Sequence, residues 1–431
     1  MRRAQMMTIA TMLLVISVGV AGAETYVVDW SGGGDFITIQ SAVDHATTGD
    51  TLLIASGVYS ENVVSSGTFL TWAGEGVGST VLRGVSDSPS LHLPDTVPNS
   101  PPQVLIDMTI EKAASADWAV LWHGGHVEFL RCEVAGKTGA SGDPYGSGVF
   151  RESDLDELSM ASYGSSLIQD CDITSAGFAG VYYQTPGGGT ACQQQYVDCS
   201  NSRIGSVHLS CAGFDSTDDE IGQIDVSTWS SCEVIGGTLG SVHNDDGAHV
   251  VLEQCTVLGD IDLQPELWLH SSHPSTELSY CTVLGDFLIS AVNQGQEYSN
   301  AWLELLHNTF AGDVRHDWRY VDTPVCYMRG NIVLGESVFE SVGYEPYLIA
   351  THNDFVGGLT HASACPDSVY GNISQDPLMC GPGTGDFTLQ DCSPCVGTAH
   401  DGGDMGAYGV GCVCSTAVTP VTWGRLKALY R

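Results

Sequence analysis

The chain of 431 residues carries 51 Asp and Glu against 14 Lys and Arg, which gives a formal net charge of −37 at pH 7. A surface this acidic repels nucleic acids and anionic membranes and attracts cations, so we expect no nucleic-acid partner. It would also repel an acidic polysaccharide unless metal ions bridged the two molecules.

The N-terminus has the pattern of a secretory signal peptide. Arg2 and Arg3 give a positive start, an apolar stretch follows over residues 9–20, and Ala21 and Ala23 supply the small-residue cleavage pattern. This stretch is shorter than the roughly 20 apolar residues that span a bilayer. We therefore predict a signal peptide over residues 1–23 and a secreted or cell-surface protein, with no transmembrane segment once the signal is removed.

A short motif recurs along the chain from about residue 127. Each copy has a Cys or Asn anchor, with an apolar residue usually three positions before it and a Val, Ile or Phe two positions after it. In most copies a Gly follows at the fourth position. The nine anchors are Cys132, Cys171, Cys199, Cys232, Cys255, Cys281, Asn308, Asn331 and Asn353. From Cys232 onward the anchors recur every 22–27 residues, a period typical of a solenoid.

The motif predicts a short strand, a tight bend at the anchor, a second short strand, a glycine turn and then a third strand. Such strands bury their inward side chains only by stacking on the next coil, so we predict an all-β solenoid with its anchors in one inward column. Asn at the bend would hydrogen-bond neighbouring backbone groups, and Cys would fill the same niche as a buried thiol. Ile39, Ala42, Val43 and Ala46 follow helical spacing and predict one short N-terminal capping helix.

The repeat resembles that of the pectin lyase-like superfamily of right-handed parallel β-helices. Residues 28–63 are similar to the first coil of such folds, residues 68–84 to the coil that follows, and residues 386–412 to the closing segment of many secreted bacterial members. The superfamily contains polysaccharide lyases, glycosidases, pectin esterases and many proteins without an assigned activity. The resemblance is therefore specific for the fold and not for the chemistry.

The resemblance implies one domain. We predict a right-handed parallel β-helix (a solenoid) over residues 24–412, with its closing segment from about residue 365, and we expect a monomer. Residues 413–431 have a different, more basic character. They predict a sorting or attachment tail, or a terminus that packs on the last coil.

Four acidic residues follow the turn glycines of successive coils: Asp260, Asp286, Asp313 and Glu336. In-register stacking would place their carboxylates in a column about 4.8 Å apart, where like charges repel. Three arrangements relieve this repulsion: a bound hard cation such as calcium, raised pKa values, or carboxylates that cap turn N–H groups. Turn capping is the common role of a Gly-Asp pair, and metal binding by these four residues is the sharper hypothesis.

The third strand would carry a substrate surface, because its outer face commonly forms the groove in the superfamily. Alternation along this strand points Asp262, Arg315 and Asp317 outward, as candidate substrate-binding residues, and turns His316 inward. The sequence defines no catalytic residue. The leading hypothesis is a non-catalytic acidic surface that binds extracellular polysaccharide or cations. The alternative is a polysaccharide hydrolase or lyase with a carboxylate site in this groove.

Export permits disulfide bonds, although the odd number of cysteines, 15, leaves at least one thiol free. We predict at least one bridge among the six cysteines near the C-terminus and none between the anchor cysteines. The six are Cys365, Cys380, Cys392, Cys395, Cys412 and Cys414.

Two further groups of polar residues are assigned to loops. One is the acidic run over residues 215–220, interpreted as a solvated insertion. The other is a set of five scattered histidines, for which a solvated role is the common one: His123, His126, His243, His270 and His273.

Overall fold

The computed structural model is a stack of parallel β-coils. It describes residues 22–65, 67–93, 100–141, 145–184, 190–227, 229–245, 248–264, 275–292, 302–319, 325–342, 347–361 and 368–414. The predicted signal peptide (except its last two residues), the predicted tail beyond residue 414, His270, His273 and Cys365 therefore lie outside the described residues. Within the described ranges, no helix has both the length and the apolar character needed to span a bilayer.

Two long sheets form the walls of the solenoid. Among the described residues, face A contains sixteen strands, all paired in parallel. They are Thr25–Val28, Thr51–Ile54, Thr71–Gly74, Gln103–Ile106, His126–Leu130, Ser147–Arg151, Ser165–Gln169, Gln195–Ser200, Ala212–Thr217, Ser231–Ile235, His249–Glu253, Ser275–Ser279, Trp302–Leu306, Val325–Arg329, Tyr347–Thr351 and Val369–Tyr370.

Face B contains twenty-two strands in the described part of the chain, also parallel. They are Gly57–Ser60, Val63–Val64, Thr80–Arg83, Leu91–Leu93, Thr109–Glu111, Trp118–Trp122, Glu133–Ala140, Asp154–Ala161, Asp172–Ala179, Arg203–Ser210, Glu220–Ser227, Thr238–Asp245, Thr256–Val257, Ile261–Gln264, Thr282–Val283, Phe287–Val292, Thr309–Phe310, Val314–Arg319, Ile332–Val333, Ser337–Val342, Asp354–Phe355 and Leu359–His361. From residue 256 onward each coil contributes two of these strands, as the sequence predicts, whereas in the coils over residues 133–245 the two merge into one.

The remaining elements lie at the ends and in one insertion. They are the helix Ile39–His45, the antiparallel hairpin Val181–Gln184 with Thr190–Gln193, and the closing strands Met379–Gly381, Asp386–Gln390 and Val410–Cys412, with a single 3-10 turn at Pro382–Thr384. Ile39, Ala42 and Val43 of the helix are buried in the main core, as their spacing predicts. That the helix covers the open end of the first coil stays a prediction.

The core is the interior of the solenoid. Strands of both faces alternate buried and more exposed residues, as in His126–Leu130 of face A and Arg203–Ser210 of face B, so each coil points one set of apolar side chains inward. Because the coils stack in register, these side chains form continuous columns, such as the stacked rings of Phe129 and Phe150 with centroids 5.2 Å apart. A smaller core, with Phe387 and Leu389, lies under the closing segment.

The inward anchor column exists, but with partly different members. Seven predicted anchors follow a bend at the end of a face A strand: Cys132, Cys171, Cys255, Cys281, Asn308, Asn331 and Asn353. The prediction is wrong for Cys199 and Cys232, which lie within face A strands and pair with Ile168 and Phe214. The column positions that the motif search missed are Ser153, Ser202, Asp219, Gly237 and Asn372.

The error has a physical cause. Several coils in the middle of the molecule are only 17 or 18 residues long, as between Ser202, Asp219 and Gly237. The anchors Ser202 and Asp219 have side-chain oxygens that accept the same hydrogen bond that Asn accepts elsewhere, whereas the anchor Gly237 has no side chain. Asp219 is buried, with one carboxylate oxygen 2.6 Å from the amide nitrogen of Ser202. The interpretation of residues 215–220 as a solvated insertion is therefore wrong, because this run forms the end of one strand, a corner and the start of the next.

The Asn anchors form a hydrogen-bonded ladder. The side-chain oxygen of Asn331 accepts the backbone N–H of Asn308 at 2.8 Å, and its amide donates to the carbonyl of Leu305 at 2.7 Å. Asn353 repeats this pattern one coil further on, with its oxygen 2.9 Å from the amide nitrogen of Asn331. Each Asn thus satisfies buried backbone groups of other coils, which locks the stacking register.

A column of glycines explains the turns of face B. Its members are Gly205, Gly222, Gly240, Gly259, Gly285, Gly312, Gly335 and Gly357. From Gly222 onward, an added Cβ would lie 2.6 Å or less from the carbonyl oxygen of the glycine in the preceding coil. Side chains are excluded here because the backbones of successive coils approach too closely.

The disulfide prediction is confirmed. Cys380 bonds to Cys412 and Cys392 to Cys414, so two bridges hold the closing segment. The anchor cysteines are free and buried. A third bridge, between Cys192 and Cys211, joins the inserted hairpin to the corner of a coil; the sequence motif does not predict it.

Candidate functional site

A wide acidic groove lies along the corner where face A turns into face B. Its volume is about 1020 Å³, and the corners of five successive coils contribute to it. Seven carboxylates and one guanidinium line it: Glu133, Glu152, Asp154, Asp170, Asp172, Asp218, Glu220 and Arg203.

The coil geometry places these side chains in two parallel rows. One row occupies the corner residue that precedes each anchor, where Glu152, Asp170 and Asp218 adopt positive φ angles of 49–58°. The other row occupies the first position of each face B strand, where Glu133 pairs with Asp154 and Asp154 with Asp172. Buried anchors lie between the rows, so the carboxylates project to solvent on both sides of a shallow trough.

Among the residues that line the groove, the positive charge is that of Arg203. Arg203 follows Asp172 in the second row and pairs with Asp172 at 3.0 Å and Glu220 at 3.5 Å. At Asp154, partial burial and the neighbouring carboxylates of Asp172 and Glu133 raise the pKa above its ordinary value. Repulsion between adjacent exposed carboxylates amounts to about 1 kcal/mol per pair in water. A bound cation would relieve this repulsion.

The predicted acidic column is present and in register. Asp260, Asp286, Asp313 and Glu336 precede face B strands that pair directly with one another. Each carboxylate of the first three accepts the backbone N–H of the next residue in the column, and all three distances are 2.8 Å. One oxygen of each is therefore committed to a backbone ladder. This is the turn-capping arrangement, and cation binding here stays a prediction.

The predicted substrate residues lie on the outer face of face B. Arg315 shares a row with Asp262 two coils away, and its guanidinium lies 3.1 Å from Asp313 of the acidic column. Asp317 lies two residues further along the same strand. These residues share one exposed surface, as alternation predicts. His316, between them, is buried against Phe339, also as predicted.

Asp262 continues a row of alternating His and Asp that the sequence analysis missed. In successive coils the row reads His208, Asp225, His243 and Asp262. His208 Nδ1 lies 2.8 Å from Asp225, and His243 Nδ1 lies 3.6 Å from Asp262. The assignment of His243 to a loop is wrong, because it belongs to the strand Thr238–Asp245. Likewise His126 begins the strand His126–Leu130. The repeat motif does not predict this register, because the coils in the middle of the molecule are shorter than the repeat period.

A second, smaller cavity of about 420 Å³ lies beside the inserted hairpin. Three aromatic rings, of Tyr163, Tyr196 and Trp229, line it together with Gln193 and Gln194. Gln194 donates a hydrogen bond to the carbonyl of Trp229 at 2.7 Å. Flat rings beside amide groups suit a ligand that has both apolar faces and hydroxyl groups.

No family model matches the sequence, and no curated protein matches it either. Among solved structures, a pectin methylesterase from carrot superimposes with a TM-score of 0.27 at 13% sequence identity, over 62% of this chain and 84% of that chain. A superposition of this quality carries no information about activity. The strand topology identifies a parallel β-helix, so any function has to be argued from the residues of this chain.

Proposed function

We propose that this protein is an exported β-helix that binds divalent cations in its acidic corner groove and has no catalytic role there. The observation that carries the proposal is the pair of carboxylate rows, seven acidic side chains against one guanidinium within a single groove. The three disulfide bonds support a location outside the cytoplasm.

The ligand chemistry favours calcium. Ca²⁺ takes about six to eight oxygen ligands in flexible arrangements, and two facing rows of exposed carboxylates with access to water supply such ligands. Because the side chains are exposed, we expect dissociation constants for calcium of about 10⁻⁴–10⁻³ M, as in other extracellular calcium modules. Bound cations would also bridge this acidic surface to an acidic extracellular polysaccharide that it otherwise repels.

Calcium titration calorimetry tests the proposal. The groove variant replaces Asp154 and Asp172 together by Asn, which removes two adjacent charges and keeps their shape. The control replaces Asp198 and Asp215 by Asn, because these two also stack in register but lie on face A. We expect the groove variant to lose at least about tenfold in calcium affinity and the control to match the wild type. Equal calcium affinity in both variants would contradict the proposal.

Carbohydrate binding has its own candidate site, the aromatic cavity of Tyr163, Tyr196 and Trp229. A glycan panel probed with and without calcium distinguishes glycan binding in the aromatic cavity from calcium-bridged glycan binding in the groove. Neutral glycans retained without calcium, and lost in Tyr196→Ala, would assign them to this cavity. Acidic glycans retained only with calcium, and lost in the double variant Asp154→Asn with Asp172→Asn, would assign them to the groove.

The alternative is an enzyme on face B, and the row of His and Asp side chains favours it. An imidazole beside a carboxylate, as in His243 with Asp262, is a pair suited to general acid–base chemistry. Release of reducing ends or unsaturated products from a polysaccharide panel, abolished by Asp262→Asn, would establish a hydrolase or lyase. A release that Asp262→Asn leaves unchanged would exclude Asp262 from the chemistry.

A further inference from the structure

Three ligand-type side chains meet where the closing segment packs against the solenoid. His307 lies at the corner between the strands Trp302–Leu306 and Thr309–Phe310, and His400 and Asp401 lie on a turn of the closing segment. One nitrogen of each imidazole and one carboxylate oxygen all lie within 4.8 Å of one another. His307 is buried, whereas the other two are exposed, so the cluster is open to solvent on one side.

The orientation of His307 is fixed from both sides of its ring. Its Nδ1 lies 3.0 Å from the carbonyl oxygen of Asp404, which can only accept, so the proton resides on Nδ1. Nε2 then faces Asp401, whose carboxylate oxygen is 3.3 Å away, so Nε2 is the nitrogen that would bind a metal ion. The ring of Tyr280 stacks parallel to the imidazole, with centroids 5.1 Å apart. In metal sites, a backbone carbonyl that holds the distal ring N–H in this way orients the ligand nitrogen.

The turn that carries the other two side chains is also held in place. Asp401 accepts the backbone N–H of Gly403 through its other oxygen at 2.9 Å, and Asp404 accepts that of Gly397 at 2.8 Å. The N–H of Gly406 donates to the carbonyl of Gly330 in the next coil at 2.6 Å. Backbone hydrogen bonds therefore hold the cluster in place both in the closing segment and in the coils beneath it.

We propose that His307, His400 and Asp401 bind one zinc-class divalent ion. Two imidazoles and one carboxylate are borderline ligands that suit Zn²⁺, whereas Ca²⁺ requires oxygen ligands. Three protein ligands leave a fourth tetrahedral position for water or an exogenous ligand. The ion joins residues about a hundred positions apart in the chain and fastens the closing segment to the coils beneath it.

Zinc titration calorimetry on the chelator-treated, dialysed full-length protein tests the site, with ZnCl₂ as the probe. We expect one tightly bound equivalent in the wild type. His400→Gln and Asp401→Asn remove exposed ligands without opening the core, and each is expected to weaken zinc binding by at least about a hundredfold, more than the loss of an outer-shell partner. His249→Gln, which removes an exposed histidine remote in the chain, serves as the matched control and should bind zinc as the wild type does.

Cobalt substitution gives a second readout. The Co²⁺ form of the wild type should show the visible absorption of a four-coordinate site, and His400→Gln should lose it. Zinc binding that is absent in the wild type, or equal in the wild type, His400→Gln and Asp401→Asn, would overturn the proposal. Calcium binding in the groove is independent of these variants, so failure here leaves the groove proposal intact.

Discussion

Replacing His316 by phenylalanine removes an imidazole that the fold keeps neutral. His316 is 1% exposed, and its ring stacks on Phe339 with centroids 4.2 Å apart. Burial lowers its pKa from 6.5 to about 3. Because protonation would place a charge inside the apolar core, the folded state takes up this proton only in strong acid.

The sign of the effect follows from proton uptake. Above pH 6.5 the imidazole is neutral in both states, so it contributes no pH dependence. Below that pH the unfolded chain binds a proton that the folded chain rejects until about pH 3, so stability falls as pH falls through this window. With these two pKa values, the loss between pH 8 and pH 5 is about 2 kcal/mol for His316 alone.

The assay is urea unfolding of the wild type and His316→Phe at pH 8, 7, 6 and 5. The other titrating groups contribute equally to both proteins, so the difference between the two free energies of unfolding isolates His316. We expect this difference to shift by about 2 kcal/mol in favour of the variant between pH 8 and pH 5. His249→Gln controls for the loss of an imidazole from the unfolded chain. A difference between wild type and His316→Phe that stays constant over this range would show that the folded state does not keep His316 neutral.

Three further predictions concern the columns and the closing segment. Asp286→Asn keeps the carbonyl oxygen that caps the next turn, so the melting temperature without metal should be unchanged or slightly higher. If calcium raised the melting temperature of this variant as much as that of the wild type, a cation at Asp286 would be excluded. Asn331→Ala leaves a buried N–H and a buried carbonyl without partners and should lower the free energy of unfolding in urea by about 2–5 kcal/mol, whereas a loss under 1 kcal/mol would contradict the ladder. Replacing Cys380 and Cys412 by Ser opens a loop with a sequence separation of 32 residues and should cost about 3–4 kcal/mol in urea unfolding, and an unchanged midpoint would show that the bridge does not constrain the chain.

The sequence predicts the solenoid because its repeat is strong where the anchors are Asn or Cys. In coils such as those of Asn308 and Asn331, the anchor, the glycine turn and the third strand all lie where the motif places them. The motif does not identify the middle coils because Ser202 and Asp219 serve as anchors there, and because shorter coils change the repeat period. Hydrogen-bonding equivalence between Asn, Asp and Ser is a property of geometry that identity-based alignment does not detect.

The candidate sites also differ in whether the sequence predicts them. The column through Asp260 and Asp286 follows directly from in-register stacking, so the sequence predicts it. The acidic groove requires the correct period, because Asp154 and Asp172 become neighbours only when the coil between them is recognised. Clusters built from distant parts of the chain, such as His307 with Asp401, have no local signal at all. A corrected period is the one sequence-level observation from which the groove could have been predicted.

The most direct test of cation binding in the groove is a crystal structure of the protein soaked with a lanthanide such as terbium, which replaces calcium and gives a strong anomalous signal. We expect an anomalous peak in the corner groove, between the row of Glu152 and Asp170 and the row of Asp154 and Asp172. This peak should disappear in the variant with Asn at positions 154 and 172. Peaks confined to other parts of the surface, or a groove peak that survives in the variant, would show that the groove does not bind the cation through these carboxylates.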